Sequence, residues 1–171
     1  MTDLRDIRYV RIGSEDLDAS IAFAVNILGL ELTEREANCA YLRGDDRDHN
    51  ICYTRGASSG QVTGWELATM AELDAAAAAF EQAGISVRAG TASECDQRRV
   101  RGLVIIADPS GNVIELVARP AASGRRYFPS RDAGITHFSH VGLHTRDAPK
   151  DEAFWIAHLG AKVSDWIGAA C

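Results

Sequence analysis

Residues 9–32 return at 140–163, displaced by 131 positions without a gap. Val10 meets Val141, Asp16 meets Asp147, Ala22-Phe23 meets Ala153-Phe154, and Leu28-Gly29 meets Leu159-Gly160. A helix stop kept in register across such a distance is the mark of a repeated supersecondary unit, and it restricts the chain to folds assembled from copies of that unit. The unit reads as a strand over 7–12, a helix opened by Asp16-Leu17-Asp18 and stopped by Gly29, and three short strands over 30–36, 40–43 and 50–54. A second copy follows, with a strand over 65–69, an Ala-rich helix over 72–83 stopped by Gly84, and strands over 85–88, 103–107 and 113–117. Its helix start, Ala71-Glu72-Leu73-Asp74-Ala75, parallels Glu15-Asp16-Leu17-Asp18-Ala19. Asp108-Pro109-Ser110-Gly111 has the residues of a tight turn between the last two strands. Leu73, Ala76, Ala77 and Phe80 fall at helical spacing and predict a core-facing stripe.

The repeat divides the 171 residues into a domain over 1–120, made of modules at about 5–60 and 61–118, a connector over 121–135, and a third copy over 136–171. That third copy holds a strand, a helix and the opening of another strand over 162–167, so it reads as the incomplete start of a second domain. It carries Phe138, Val141, Leu143, Phe154, Trp155, Leu159, Val163, Trp166 and Ile167. A partial sheet cannot bury so many large apolar side chains, each contributing about 1.5–3 kcal/mol when buried. A longer parent, or cover by another subunit, is therefore expected.

Composition narrows the function classes. With 46% hydrophobic residues the chain can build a core, which excludes wholesale disorder. The net charge of −6 argues against phosphate-backbone binding, so no nucleic-acid partner is expected. No run of about 18 apolar residues exists, so no membrane span is expected. The polar start Met1-Thr2-Asp3-Leu4-Arg5-Asp6 does not read as a signal peptide, and the expected location is cytoplasmic. Cys39, Cys52, Cys95 and Cys171 show no CxxC spacing and read as reduced thiols.

The paired strand-helix-three-strand modules, with Asp-Pro-Ser-Gly-Asn-Val-Ile-Glu-Leu-Val at 108–117, resemble the vicinal oxygen chelate superfamily. Ser-Gly-Arg-Arg-Tyr-Phe-Pro-Ser-Arg-Asp-Ala-Gly-Ile at 123–135, followed by His-Phe-Ser-His-Val-Gly-Leu at 137–143, is similar to two-domain type I extradiol ring-cleaving dioxygenases, in particular those acting on dihydroxy-cumate or dihydroxybiphenyl. The resemblance implies an α+β fold whose paired βαβββ modules curl into an open barrel. It implies cleavage of catechol-type diols by Fe(II) and O2 in a second, metal-bearing domain, with a small aromatic diol as partner and a homo-oligomer as the assembly. The first iron ligand of that family falls on His140; the further histidine and glutamate ligands would lie beyond Cys171. The other readings are a metal-free binding module of the bleomycin-resistance type and a glyoxalase-type metal isomerase or lyase.

Read from the residues alone, His140 and His144 share a strand face about 13 Å apart, too far for one metal. Tyr9 stands at the repeat position of His140, and Trp65 at the matching place in the second module. Neither is an expected ferrous ligand, so no iron or zinc is expected within residues 1–120. Glu115 occupies the superfamily's carboxylate position; it is read either as a metal ligand or as a relic carboxylate that is paired with an arginine or hydrogen-bonded near a barrel mouth. His49, among acids in a turn, reads as solvated surface, and His144 and His158 as ordinary histidines. Arg98-Arg99, Arg101 and Arg125-Arg126 read as solvated loops, with an anion site as the other reading.

Overall fold

The computed structural model describes residues 2–59, 61–130 and 134–165. The first module runs β1 (Asp6–Ser14), α1 (Leu17–Asn26), β2 (Glu31–Arg35), β3 (Cys39–Arg43) and β4 (Ile51–Arg55). The second runs β5 (Val62–Leu67), α2 (Met70–Gln82), β6 (Arg88–Ala89), α3 (Ala92–Arg98), β7 (Gly102–Ala107) and β8 (Val113–Ala118), and α4 (Ala148–Leu159) follows the connector. All eight strands form one sheet in the order β2-β3-β4-β1-β5-β8-β7-β6. The order reads as the same four-strand pattern twice, mirrored about the antiparallel β1–β5 seam, with β1–β4 and β5–β8 parallel. This is the paired-module architecture the repeat predicts.

Two-residue alternation gives each strand two faces. One face carries Ala40, Leu42 and Tyr53 against Leu17 and Ala24 of α1, and Val104, Ile106, Ile114 and Leu116 against Leu73, Ala76 and Phe80 of α2. The other, concave face carries Tyr9, Leu103, Val117 and Glu115, with Tyr41, Cys39 and Cys52 in the first module. The helices start where a side chain satisfies their free amides: Asp16 accepts from Asp18 and Ala19, Thr69 from Glu72, and Asp147 from Lys150. Gly29 and Gly160, at φ 74° and 69°, end α1 and α4 in the left-handed region that L side chains avoid.

Several expectations are corrected. The strand expected over 85–88 shrinks to Arg88–Ala89, because Ile85 and Val87 turn into the helix-side core. The strand expected over 65–69 starts at Val62 and ends at Leu67, since Thr69 serves as the cap of α2. The strand expected around His140 is not formed: residues 134–147 carry neither helix nor strand, as no neighbouring strand pairs with them among the described residues. Of the strand expected over 162–167, residues 162–165 are not strand, and Trp166 and Ile167 lie outside the described residues, as does Cys171.

The third copy's helix docks on the second module. Phe154 and Leu159 join the core beneath α2, and the indole of Trp155 meets that of Trp65 edge-on at 5.4 Å. The 108–111 turn makes the dock polar as well: Ser110 donates to the buried carboxylate of Asp151, and Asn112 donates to the carbonyl of His144 at 2.7 Å. On the first module, the fully buried Arg43 donates to Glu31, to the Ser123 hydroxyl and to the Arg125 carbonyl, which pins the connector.

Candidate functional site

The concave face holds a closed polar cluster where β1 and β8 face each other across β5. Tyr9 donates its phenol proton to Glu115 Oε2 at 2.6 Å. Arg98, from the end of α3, grips the same carboxylate with Nη2 at 2.6 Å and Nε at 3.0 Å. Glu115 is 1% exposed and Tyr9 is wholly buried. A carboxylate this deep is tolerated because two donors hold it, one of them a charged fork. Burial and the Glu115 charge push the Tyr9 phenol well above its usual value, so it remains a donor.

α3 is seated over this face by its own chemistry. Thr91 and Glu94 form a reciprocal capping box at its start. At its end the Tyr41 hydroxyl donates to the Gln97 carbonyl at 3.0 Å, and Arg11 Nη1 lies 3.4 Å from the same oxygen. Gly64 sits opposite Tyr9 in the β1–β5 ladder, and a Cβ there would lie 2.5 Å from the Tyr9 ring. Glycine is what lets the phenol lie across β5.

Glu115 is both paired with an arginine, Arg98, and hydrogen-bonded by Tyr9. Arg98 is therefore not a solvated loop residue. Trp65 is corrected too: it points to the helix side, toward Trp155, and Gly64 is the second-module residue on the Glu115 face. His49 is the largest correction. It is 3% exposed, stacked on Tyr9 at 5.3 Å and edge-on to Tyr41 at 5.2 Å. Its Nδ1 lies 3.0 Å from Asp48 Oδ1, and its Nε2 is buried without a partner among the described residues. Burial pushes its pKa down. Its acidic sequence neighbours disguise it; the rings that bury it come from β1 and β3.

His140 lies elsewhere. It is exposed, with Nδ1 3.0 Å from Ser139 Oγ, and with His137 and Phe138 it lines a cavity of about 270 Å3 against Leu28, Leu30 and Ile51. The structure does not bring His140 and Glu115 together. No group of three or more His, Cys, Asp or Glu that could hold a metal occurs among the described residues. His144 lends only its carbonyl to Asn112, and His158 packs on Phe80 and Phe154.

Residues 6–116 match the sequence profile of the Glyoxalase/Bleomycin resistance protein/Dioxygenase superfamily, and the chain belongs to it. It is 31% identical over 168 residues to a protein of Rhodococcus jostii (strain RHA1) named iron-dependent extradiol dioxygenase, covering 95% of this chain and 56% of that one. Among solved structures it is similar to a catechol 2,3-dioxygenase, with a TM-score of 0.80 at 26% identity over 91% of this chain and 55% of that one. It is also similar to the Mn(II)-bound glyoxalase from Novosphingobium aromaticivorans, with a TM-score of 0.83 at 26% identity over 99% and 57% of the two chains. The chain thus spans somewhat more than half the length of the relatives it matches.

With both Glu115 oxygens occupied by Arg98 and Tyr9, the described residues do not by themselves fit an iron centre. Anaerobic incubation with micromolar Fe(II), then dialysis and elemental analysis, is expected to leave well under one equivalent on the chain. Stoichiometric iron that disappears in Glu115→Gln would show that the carboxylate exchanges its arginine for metal.

Proposed function

We propose that this chain supplies the first two modules, and the opening of the third, of an extradiol ring-cleaving dioxygenase that acts on catechol-type aromatic diols with Fe(II) and O2. The observation that carries the reading is the similarity to the iron-dependent extradiol dioxygenase, spread over 95% of the chain. His140 is the first metal ligand: the repeat sets it at the position of Tyr9, the residue that touches the carboxylate in the first two modules. The remaining ligands come from sequence outside these 171 residues, so no step of ring opening is assigned to the residues present. Residues 1–120 act as the metal-free half, its concave face filled by its own side chains. The working form is a cytoplasmic homo-oligomer; Phe23 and Leu32, large apolar side chains exposed on α1 and the edge strand β2, support self-association.

The test is an oxygen-uptake assay with catechol, 2,3-dihydroxybiphenyl and a dihydroxy-cumate after anaerobic loading with Fe(II). The 171-residue chain is expected to show no turnover. A form extended to the length of the relatives should turn over at least one diol, and its His140→Ala variant should lose iron and activity together. Turnover by the short chain as a monomer would place the site within residues 1–171. An extended form that is inactive on every diol but isomerises a metal-chelated substrate would favour the glyoxalase reading, which the likeness to the Mn(II)-bound enzyme supports.

A further inference from the structure

We infer that the chain carries a small-oxyanion site, separate from the proposed metal centre, in the pocket between the end of α3 and the end of β8. The pocket has a volume of about 410 Å3 and is lined by Asp96, Arg99, Val100, Arg101, Arg119 and the 120–121 segment. That volume lies in the range of small-molecule sites. Its frame is fixed by the backbone: the Ala121 amide donates to the Arg99 carbonyl at 2.7 Å and the Arg101 amide to the Ala118 carbonyl at 3.1 Å. These bonds occupy the Arg101 and Ala121 amides, so the charged donors the pocket offers are its guanidiniums.

Charge pairing around the pocket leaves cations over. Glu115 is held by Arg98, Glu94 by Arg88, Glu66 by Arg8, and Glu34, Glu36 and Asp48 all by Arg99. Asp96 is the one acid in the lining. The guanidiniums of Arg101 and Arg119 have no hydrogen-bond or ion-pair partner among the described residues. Arg101 and Arg119 are both exposed, and both line this one concavity; in a protein of net charge −6 their guanidiniums are donors of the kind that match carboxylate or phosphate oxygens.

Backbone conformation points the same way. Arg119 has φ 52°, a left-handed conformation that glycine adopts without cost and an arginine does not. Such outliers persist where the surrounding structure over-determines them, and they cluster at ligand clamps and other functional sites. Arg99, at φ 54°, has a visible use: its guanidinium lies over the Tyr41 ring at 4.5 Å and reaches three acids of the first module. Arg119, which is exposed, has no such contact among the described residues, and it is one of the residues that line the pocket. The ligand class is a small molecule bearing a phosphate or carboxylate group.

The conformation also separates binding from folding in the test. Arg119→Gly removes the guanidinium and relieves the left-handed backbone, so its melting midpoint should equal or exceed that of the parent. Titrations of the 171-residue chain with inorganic phosphate and with succinate, followed by amide NMR at low salt, should give saturating shifts at Arg101 and Ala121. Saturation by phosphate, by succinate or by both supports the site and identifies the oxyanion it prefers. Arg119→Gly and Arg101→Gln should each weaken binding by about fivefold, the equivalent of one solvent-exposed ion pair. Three results would overturn the proposal: no saturating shift with either anion, unchanged binding in both variants, or a lower melting midpoint in Arg119→Gly, which would make Arg119 a structural residue.

Discussion

Replacing Glu115 by alanine is expected to remove about 3–5 kcal/mol of folding stability, the usual cost of taking one partner from a buried ion pair. A domain of ordinary stability has about 5–15 kcal/mol in total, so the variant should be close to unfolding. The cost arises on both sides of the carboxylate. Arg98, whose side chain is 11% exposed, would keep its charge with its direct counter-ion gone and only Glu94, already paired with Arg88, acting on it from further off, and the wholly buried Tyr9 hydroxyl would lose its acceptor. α3 would also lose the contact that ties its last turn to β8. Urea denaturation followed by circular dichroism measures the loss as a drop in midpoint at constant slope. The double variant Glu115→Leu/Arg98→Leu should be milder than Glu115→Ala, because it strands no charge. A Glu115→Ala loss below about 1 kcal/mol would mean that water enters the cluster and that the carboxylate is not the keystone of the concave face.

The cluster also shows which parts of this molecule a sequence can disclose. The helix over 148–159 is legible because its cap and stop, Asp147 and Gly160, copy Asp16 and Gly29, and local chemistry of that kind acts the same way in every copy. The same repeat predicts a strand at His140, and there it fails. A strand is defined by a partner, and no neighbouring strand reaches residues 134–147 among those described. α3 was open to reading: Thr91-Ala-Ser-Glu94 is a capping box, but seven residues are too few for the apolar periodicity that reveals longer helices. That a buried Glu115 would take an arginine follows from the cost of burying a carboxylate. That the arginine is Arg98 follows only from where α3 lands. Trp65 and Gly64 show how tight the margin is, since a one-residue difference on a strand decides which side chain faces the carboxylate.

His49 is where local sequence misleads most, and its burial sets the pH behaviour of the fold. An unfolded histidine titrates near 6.5. In the folded chain, burial between the Tyr9 and Tyr41 rings pushes the pKa down; Asp48 pulls it up through the Nδ1 contact, and Arg11 and Arg8 push it further down. Above pH 6.5 both states are neutral at this residue, and it adds no pH dependence. Below that value the unfolded chain takes up a proton that the folded chain refuses, so stability falls as the pH falls. The slope from this one group reaches at most about 1.4 kcal/mol per pH unit and persists until the depressed folded value is reached. Equilibrium urea unfolding at pH 7.5, 6.5, 6.0 and 5.5 should therefore show a declining midpoint. His49→Phe keeps a ring between the two tyrosines and removes the titration. Whatever that variant loses at pH 7.5 from the broken Asp48 contact, its stability should fall less steeply between pH 6.5 and 5.5 than that of the parent. Titrating groups elsewhere cancel in that difference. Equal slopes in the two proteins would mean that His49 takes its proton in the folded state as readily as in the unfolded one, and that its unpartnered Nε2 has access to water.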